Sequence, residues 1–437
     1  MFKKKEKINL PPGASKIQTL WETIALIKDT KEFAEKRSQK YGSIFKTYIF
    51  GQPIIYVTSD KGCRFVFENE DIYFQNKLLP SMEALIGSSA ITTQTSSIHK
   101  NRKKILKKVF TPRYLETKIK IISEITDKYI NRWNSLQTIE WYCELQKYSF
   151  DVACKLFVGL EDASNTELGK LYQIWSEGLF SFMPAFPRSK TQRALDSRKK
   201  ILAYIENIVE ERKQTLSDDF LGILLNAEDE KGNKLEENEI KDQILNMLSA
   251  GHGTLASALS SICLSLAQNS QVLEKCREEQ TKIGKYSITS FQDLEAMKYL
   301  DAAIEEVLRI YPPVGGGFRE IIKDCEFNGY FLPKGGRVIY NSLISHRNSN
   351  YFNFPDKFDP DRFLGKSENN LQGYFPFGGG KRRCLGENLA RLEMKFFTAS
   401  IISKCRWGLI SGQNLNIEQL PFPHPKDNLL VEFQKIE

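Results

Sequence analysis

A mainly helical fold with small β-sheets, of the α+β class, is predicted by three observations on this 437-residue sequence. Good helix formers recur at spacings of three and four residues over most of residues 98–310. β-Branched and aromatic residues alternate in residues 44–59, which is typical of a hairpin. An uncharged run extends from Gln243 to Leu273 within a helix pattern that starts near Glu237. A helix of about 30 residues is about 45 Å long, so it is expected to cross the whole domain at its centre.

The predicted elements follow one another without an internal repeat or a linker. A helix is expected over residues 19–41, the hairpin follows, and short late strands are expected at residues 337–344 and 429–436. We therefore expect a single domain over residues 1–437. Its strand-rich portion is expected near residues 42–75 and 320–345, and its helical portion over about 98–310 and 384–405.

Charge and targeting signals narrow the function classes. The net charge of +8 suits docking to an acidic partner but is too dilute to indicate nucleic-acid binding. The basic start MFKKKEKIN precedes no apolar run, so neither a signal peptide nor an N-terminal anchor is expected. The uncharged run is long enough to span a bilayer, but polar side chains within it favour a buried core helix. We expect a cytoplasmic monomer with reduced cysteines.

The most informative passage is FPFGGGKRRCLGENLARLEMK, residues 375–395, in which a glycine-rich loop precedes an amphipathic helix. Glycines let the backbone turn tightly and approach a bulky planar group. Arg382, Arg383 and the N-terminus of the following helix favour the thiolate form of Cys384. Such a thiolate can serve as an axial ligand to haem iron. A structural cysteine stays an alternative, whereas zinc lacks further nearby ligands and a phosphate loop has different glycine spacing.

These residues resemble the haem signature of the cytochrome P450 family, whose members are haem-thiolate monooxygenases. The resemblance implies the cytochrome P450 fold, with the long central helix over a haem b cofactor. It implies that Cys384 is the proximal iron ligand. It also implies that five further residues of the passage contact the haem, namely Phe377, Gly378, Gly380, Arg382 and Gly386.

A second resemblance lies in EEVLRIYPP, which carries the family's Glu-x-x-Arg pattern as Glu306 and Arg309. One helical turn apart, these side chains can pair, and both can be tied to Arg362 of DPDRF. An isolated pair at this spacing is usually a solvated surface bridge. Its order and distance from the cysteine loop favour a structural lock on the haem side of the core, without a catalytic role.

The resemblance also implies partners for the haem propionates. Arg319 of GGGFRE stands where the family keeps one such partner. In SSIHKNRKKIL, His99 and Lys103 replace the usual Trp and Arg, with Arg102 beside them, and both can still hydrogen-bond a carboxylate. A surplus of lysines predicts either a dock for a ferredoxin-type electron donor or an ordinary solvated basic face. These lysines are Lys103, Lys104, Lys107, Lys108 and Lys381.

The stretch AGHGTL, residues 250–255, places two glycines inside the central helix, where each costs about 1 kcal/mol relative to Ala. By resemblance this is the oxygen-binding stretch. Ala250 and Gly251 are expected to let the helix pass close over the iron-bound ligand. Thr254 is expected to hydrogen-bond the distal oxygen and to position water, with a threonine bonded back to its own helix as the alternative.

One residue of this stretch departs from the family pattern. The family usually has Asp or Glu immediately before the threonine, whereas this chain has Gly253. The missing acid is expected to slow proton delivery unless water, His252 or a substrate carboxylate replaces it. We predict that Gly253→Glu raises the amount of product formed per electron consumed.

Several motifs together resemble a cyanobacterial branch of the family that is related to animal retinoic-acid hydroxylases: PPVGGGFRE, AGHxT, HKNRKKIL, FGGGKRRCLG and PKDNL. The branch implies hydroxylation of a long apolar substrate such as retinoic acid, another retinoid, an apocarotenoid or a terpenoid. The stretch GLFSFMPAFP, residues 178–187, is either a greasy lid over the substrate, plain core or a membrane-skimming patch. The pocket candidates are Phe180, Phe182, Met183, Phe186, Met247, Val314, Phe318 and Phe422.

Two other function classes stay open at this point. A haem-thiolate isomerase, dehydratase or peroxide-using enzyme would tolerate the loss of the acid at Gly253. A haem-based carrier or gas sensor would bind small gases without turnover. The retained Thr254 favours oxygen activation, and dependence on electrons from a ferredoxin would separate the classes.

Overall fold

The structure, a computed structural model, describes residues 9–179, 181, 186–214, 219–228, 232–284, 288–366 and 371–436. Its helices are α1 (Thr19–Lys28), α2 (Thr30–Tyr41), α3 (Asp60–Glu68), α4 (Pro80–Ile86), α5 (Ser96–Leu106), α6 (Pro112–Glu116), α7 (Ile119–Leu136), α8 (Trp141–Val158), α9 (Glu167–Leu179), α10 (Lys190–Lys213), α11 (Phe220–Leu225), α12 (Glu237–Gln268), α13 (Ser270–Ile283), α14 (Phe291–Glu295), α15 (Lys298–Ile310), α16 (Ser342–His346) and α17 (Glu387–Lys404).

Its strands are β1 (Ile44–Ile49), β2 (Gln52–Val57), β3 (Phe74–Asn76), β4 (Thr138–Glu140), β5 (Gly316–Ile321), β6 (Cys325–Phe327), β7 (Tyr330–Leu332), β8 (Arg337–Asn341), β9 (Cys405–Leu409), β10 (Ile417–Glu418), β11 (His424–Pro425) and β12 (Leu430–Lys435). The predicted mainly helical fold with small sheets is confirmed. The chain divides into two compact units, and the expected single domain over its whole length stays a prediction.

The first unit comprises residues 1–78, 314–357 and 367–384. Its five-stranded sheet has the order β1-β2-β8-β5-β3, in which β2 and β8 run parallel and the other neighbours antiparallel. Strands β1 and β2 form the predicted hairpin. Its turn residues Phe50 and Gly51 both have positive φ, 49° and 78°, as a tight turn between twisted strands requires. Helix α3 packs on this sheet and lies next to the glycine-rich loop.

The predicted helix over residues 19–41 is broken in two. Asp29 has an extended backbone, with φ −158° and ψ 105°, so it cannot continue α1. Its carboxylate accepts hydrogen bonds from the backbone N–H groups of Lys31 and Glu32 and so caps the N-terminus of α2. The prediction of one helix was wrong because the helical spacing of apolar residues continues across the break, whereas the capping signal is a single residue.

The second unit comprises residues 79–313, 358–366 and 385–437, and α12 runs through it for 32 residues. Helices α8, α10 and α17 pack against α12, and β4 joins the C-terminal strands β12 and β9 in a three-stranded sheet of order β4-β12-β9. Within the described part of the chain, α12 is the one helix long and apolar enough to cross a membrane. Of its most apolar window, 72% is buried, as in the predicted core helix.

Polar side chains are found inside the mostly apolar α12 because they bind a neighbouring segment. Four of them form one stripe along the helix, at positions i, i+3, i+4 and i+7. Gln243 accepts from the Ile91 backbone N–H at 3.0 Å and donates to the Ser89 carbonyl oxygen at 2.9 Å. Asn246 accepts from the Thr92 hydroxyl at 2.7 Å. The stripe thereby holds the segment that precedes α5. Its four members are Glu239, Asp242, Gln243 and Asn246.

Candidate active site

The glycine-rich loop of the first unit is closed by one backbone hydrogen bond and shaped by one aromatic side chain. The Cys384 N–H donates to the Phe377 carbonyl oxygen at 2.9 Å. A Cβ atom at Gly379 would lie 2.4 Å from the ring of Phe67, and one at Gly380 would lie 2.3 Å from the Phe67 carbonyl oxygen. Gly380 also has a φ of 62°, in the left-handed region. The loop therefore needs these glycines because Phe67 of α3 packs directly beneath it.

Cys384 differs from the other cysteines in its exposure. It is exposed, whereas Cys143 is half-buried and the remaining six are buried. Burial raises the pKa of the Cys63 and Cys405 thiols to about 12, so these side chains stay protonated and unreactive. Cys384 is thus the one cysteine that the fold leaves exposed.

Two arginines of the first unit converge on one buried carboxylate. Arg319 Nε donates to Glu70 Oε2 at 2.6 Å, and Arg382 Nε donates to Glu70 Oε1 at 3.2 Å. Arg319 also donates to the Asn76 side-chain oxygen at 3.2 Å. Burial lowers the pKa of Arg382 below its usual value, and the positive charge of Arg319 acts in the same direction. The two guanidinium groups still carry one positive charge more than Glu70 neutralises.

Sequence reasoning missed Glu70 and Phe67. Glu70 lies 249 residues from Arg319 along the chain, and no local pattern marks it. Phe67 lies on α3, whose apolar spacing indicates a buried face but not the loop that this face contacts. Both roles depend on contacts between distant segments, which a single sequence does not reveal.

Helix α12 is buried along most of its length and becomes accessible at the AGHGT stretch. Its residues 239–248 and 255–266 are buried, whereas Ala250 is exposed and Gly251 and Thr254 are partly exposed. The Thr254 hydroxyl donates to the Ala250 carbonyl oxygen at 2.6 Å, which is the back-bonded arrangement raised as the alternative. A hydroxyl that donates in this way keeps its lone pairs for accepting a hydrogen bond. The residues predicted to lie beside the oxygen therefore form the accessible part of a buried helix.

Gly253 is buried against an aromatic ring. A Cβ atom there would lie 2.3 Å from Cε2 and 2.7 Å from Cδ2 of Phe422, closer than atoms in proteins approach. A glutamate at position 253 would meet this ring with its first side-chain carbon, so the ring would have to shift to admit it. The effect of Gly253→Glu on coupling stays a prediction, and it requires the ring of Phe422 to move.

The Glu306 cluster of the second unit is a fully buried ion-pair network. Arg309 donates to both carboxylate oxygens of Glu306, at 2.6 Å from Nε and 2.8 Å from Nη2, and neither side chain is exposed. The Asp359 backbone N–H and Arg362 Nε donate to Glu306 Oε1 at 2.9 and 3.2 Å. The pair predicted from its spacing is thus a core cluster that joins α15 to the segment around Arg362, and not a surface bridge.

Comparison with known proteins decides the family. The family model named cytochrome P450 matches residues 11–433. The chain belongs to the cytochrome P450 family. This membership confirms the predicted fold and the predicted enzyme class, a haem-thiolate monooxygenase.

Relatives of this P450 are similar over almost its whole length. It is 40% identical over 432 residues to the putative cytochrome P450 120 of Synechocystis, covering 98% of this chain and 97% of the relative. It is 31% identical to cytochrome P450 26B1 of Xenopus tropicalis, covering 98% and 87%. It is 33% identical to the abscisic acid 8'-hydroxylase CYP707A1 of Solanum lycopersicum, covering 99% and 92%. These relatives favour the monooxygenase over the isomerase, dehydratase and peroxygenase alternatives.

A solved structure is also similar to this P450. The retinoic-acid-bound cyanobacterial CYP120A1 superposes with a TM-score of 0.92 at 39% sequence identity, covering 99% of this chain and all of that one. The predicted resemblance to the cyanobacterial branch is confirmed.

The donor set of the first unit fits a haem. An exposed cysteine on a glycine loop offers one soft axial ligand, and the buried Arg319 and the partly buried Arg382 offer positive charge for a carboxylate. In the part of the chain that the structure describes, no group of three or more His, Cys, Asp and Glu residues is arranged to hold a bare metal ion. Among the described residues, no protein atom lies close enough to require a glycine at position 386. A Cβ atom there would lie 3.8 Å from the ring of Phe110, which is an ordinary contact.

Helix α5 of the P450 carries the other predicted propionate partners. His99 is buried, and Lys103 follows one turn later on the same face of the helix. Arg102 donates to both carboxylate oxygens of Glu239 on α12, so it anchors α5. Four of the five lysines proposed to bind a ferredoxin-type electron donor are exposed, each within its own compact unit. These exposed residues are Lys104, Lys107, Lys108 and Lys381.

The substrate-pocket candidates have different surroundings. Three of them lie outside the described residues, namely Phe180, Phe182 and Met183. Phe186 and Val314 are about half exposed, and Met247 is buried in α12. Phe318 of β5 packs against the apolar cluster that α2 forms with the sheet. Phe422 is the candidate that the structure places beside the AGHGT stretch.

His252 of the P450 is an unsuitable proton donor. Its ring packs edge-on against Tyr172 and Phe150, with centroids 5.1 and 5.6 Å away. Desolvation lowers its pKa from 6.5 to about 4, so the ring is neutral at pH 7. The structure therefore disfavours His252 as the replacement for the missing acid.

This pKa predicts a pH dependence of stability. Between pH 6.5 and 4 the unfolded chain protonates His252 and the folded chain does not, so the free energy of unfolding falls as the pH falls. The loss attributable to this residue is about 3 kcal/mol by pH 4. Urea unfolding of the wild type and His252→Phe at pH 7, 6, 5 and 4 measures it. Equal pH slopes for both proteins would contradict a desolvated His252.

Proposed function

We propose that this P450 binds haem b through Cys384 and hydroxylates a long apolar carboxylic acid of the retinoid, apocarotenoid or terpenoid class. The observation that carries the proposal is the similarity over 99% of the chain to CYP120A1 with retinoic acid bound. The named abscisic acid 8'-hydroxylases support it, since abscisic acid is also an isoprenoid-derived carboxylic acid. Electrons come from a ferredoxin-type donor, and the exposed lysines of α5 and its neighbours suit an acidic partner.

The cofactor contributes one property to this scheme. A haem bound through a thiolate would favour cleavage of the O–O bond of bound oxygen, because the sulfur donates electron density to the iron. Within the chain, Cys384 supplies that thiolate. Arg319, Arg382, His99 and Lys103 are the residues proposed to hold the propionates. We further propose a cytoplasmic, monomeric, single-domain protein, in which α12 is a core helix because 72% of its most apolar window is buried.

Thr254 is proposed to hold the water that delivers protons. Its hydroxyl donates to the Ala250 carbonyl oxygen at 2.6 Å, so the oxygen keeps its lone pairs to accept a hydrogen bond. A water that donates to this oxygen is positioned for proton transfer without a neighbouring carboxylate. Ala250 and Gly251 keep large side chains away from the same surface.

The experiment that tests the proposed function is turnover under 18O2. The purified holoprotein, a ferredoxin and a ferredoxin reductase are incubated with NADPH and all-trans-retinoic acid. A monooxygenase yields product that carries one 18O atom. It yields no product when the reductase is omitted. Product without 18O would identify an isomerase or dehydratase, and equal turnover with hydrogen peroxide alone would identify a peroxygenase.

Thr254→Val is expected to lower the amount of product formed per NADPH consumed by about tenfold, because it removes the proposed water acceptor. Peroxide release rises correspondingly, and Thr254→Ser restores coupling. NADPH consumption is compared with product by chromatography.

Thr281→Val is the matched control for this substitution. Thr281 on α13 donates to the Arg277 carbonyl oxygen at 2.9 Å, which is the same back-bonded arrangement on an exposed surface. Its replacement leaves coupling unchanged. If Thr254→Val also left it unchanged, Thr254 would have only a structural role.

A further inference from the structure

Helix α1 turns its polar side towards the rest of the first unit. Glu22 accepts hydrogen bonds from Arg37, at 2.6 Å from Nε and 2.7 Å from Nη2, and from the Thr47 hydroxyl at 2.6 Å. Thr23 is buried, and its hydroxyl oxygen accepts from the Phe50 backbone N–H at 2.9 Å. Polar groups therefore fix α1 to α2 and to the β1–β2 hairpin.

The opposite side of α1 exposes large apolar side chains. A surface helix ordinarily buries its apolar stripe and turns its charged residues outward, so the arrangement of α1 is inverted. The exposed side chains follow the spacing i, i+3, i+4, i+7 and i+10, which places them on one face. They are Ile17, in the turn before the helix, and Leu20, Trp21, Ile24 and Ile27, each between 48% and 93% exposed. Single exposed apolar residues are common, whereas a row of five on one face marks an interaction site.

Basic side chains frame this apolar face. Over residues 15–28, which the structure describes throughout, the exposed charged side chains are Lys16 and Lys28, one at each end of the face. Glu22, the acidic residue of this stretch, is paired with Arg37 on the inner side. Four lysines come shortly before it in the sequence, namely Lys3, Lys4, Lys5 and Lys7. An apolar centre with a tryptophan and with lysines around it is the composition of a helix that lies in the interface of a membrane with anionic lipids.

The size and the chemistry of the face favour a bilayer over a protein partner. Helix α1 has ten residues, so it is about 15 Å long and about 10 Å wide and presents roughly 150 Å². A specific protein–protein interface buries about 800 Å² on each partner, which a second copy of the chain would not reach through this face alone. Binding to a bilayer requires no matching surface, because its strength depends on the apolar area inserted and on attraction to anionic lipids.

We propose that the outward face of α1 docks this P450 reversibly on the surface of a bilayer that contains anionic lipids. The five apolar side chains enter the boundary between headgroups and acyl chains, and Lys16 and Lys28 extend to the lipid phosphates. This is a contact with one leaflet and not a span, because a helix of ten residues is too short to cross a bilayer. The inference goes beyond the proposed function and does not depend on the substrate.

The test is sedimentation of the holoprotein with vesicles made of equal parts of phosphatidylcholine and phosphatidylglycerol, and with vesicles of phosphatidylcholine alone. The wild type binds the anionic vesicles about tenfold more strongly than the neutral ones, and high salt reduces the difference. Leu20→Ser combined with Ile24→Ser weakens binding to the anionic vesicles at least about tenfold, because it removes inserted apolar area. Lys16→Glu combined with Lys28→Glu removes the preference for anionic vesicles.

Ile72→Ser combined with Leu136→Ser is the matched control for the apolar pair. Both residues are about half exposed and lie outside α1, so this protein binds vesicles as the wild type does. All substituted side chains are exposed, and the melting temperatures of the variants therefore stay that of the wild type.

Trp21 gives an independent readout because it is the exposed tryptophan of the chain. Trp133, Trp141 and Trp175 are buried, and Trp407 is partly buried. With anionic vesicles whose acyl chains are brominated, the emission of Trp21 is quenched. Trp21→Phe abolishes this quenching while the protein still sediments with the vesicles.

Two results would overturn the inference. The first is a wild type that stays in the supernatant with both kinds of vesicle, or that binds no better than the Leu20→Ser and Ile24→Ser protein. The second is a wild-type dimer, seen by light scattering, that dissociates in this double variant without any vesicle binding. That result would identify a second copy of the chain as the occupant of the face.

Discussion

Glu306→Gln is expected to lower the free energy of unfolding by about 3–5 kcal/mol, because it leaves buried guanidinium groups without their counter-charge. Glu306 accepts hydrogen bonds from Arg309, Arg362 and the Asp359 backbone, and its side chain is completely buried. Removal of one partner of a buried pair is costly since the other charge stays desolvated. Urea unfolding followed by circular dichroism measures the change, and a failure to accumulate as folded protein is the extreme form of the same result.

Glu32→Gln is the matched control. Glu32 pairs with Lys36 one turn later on α2, and both side chains are more than half exposed. Exposed pairs contribute little, so the unfolding midpoint stays that of the wild type. Equal midpoints for Glu306→Gln and Glu32→Gln would show that the Glu306 network does not stabilise the fold.

Cys384→Ser is expected to abolish hydroxylation while the protein stays folded. The thiolate is the proposed iron ligand, and a serine hydroxyl at neutral pH supplies no comparable electron density. Because Cys384 is exposed, its replacement removes no core packing. Turnover, haem content after gel filtration and the melting temperature of the haem-free protein are measured together.

Cys143→Ser controls for the chemical change itself. Cys143 is half-buried near Glu140 in the second unit, and its replacement leaves turnover and haem content unchanged. Wild-type turnover in Cys384→Ser would contradict the assignment of the iron ligand.

Local sequence signals predicted those parts of the molecule that depend on neighbouring residues. The central helix, expected from Glu237 to about Asn269, extends from Glu237 to Gln268, because its apolar run and its flanking residues are both local. The β1–β2 hairpin follows from alternation around Phe50-Gly51, and the glycine-rich loop from its spacing. Glu306 and Arg309 are one turn apart, so their pairing was also predictable.

Contacts between distant segments were the parts that sequence reasoning missed. Glu70 contacts Arg319 and Arg382 across more than 240 residues. Gly253 was interpreted as the loss of an acid, because nothing near it in the sequence announces the ring of Phe422. A single chain without aligned relatives does not indicate which distant aromatic residue fills the place of a missing Cβ atom.

The measurement that tests the central claim most directly is an optical titration of the purified ferric protein with all-trans-retinoic acid, beside a fatty acid of similar length. A thiolate-ligated haem with a retinoid-shaped apolar pocket predicts a saturable low-spin to high-spin Soret shift with the retinoid and a much weaker one with the fatty acid. A haem spectrum that stays unchanged with the retinoid, or that shifts equally with both compounds, would contradict the proposed substrate class.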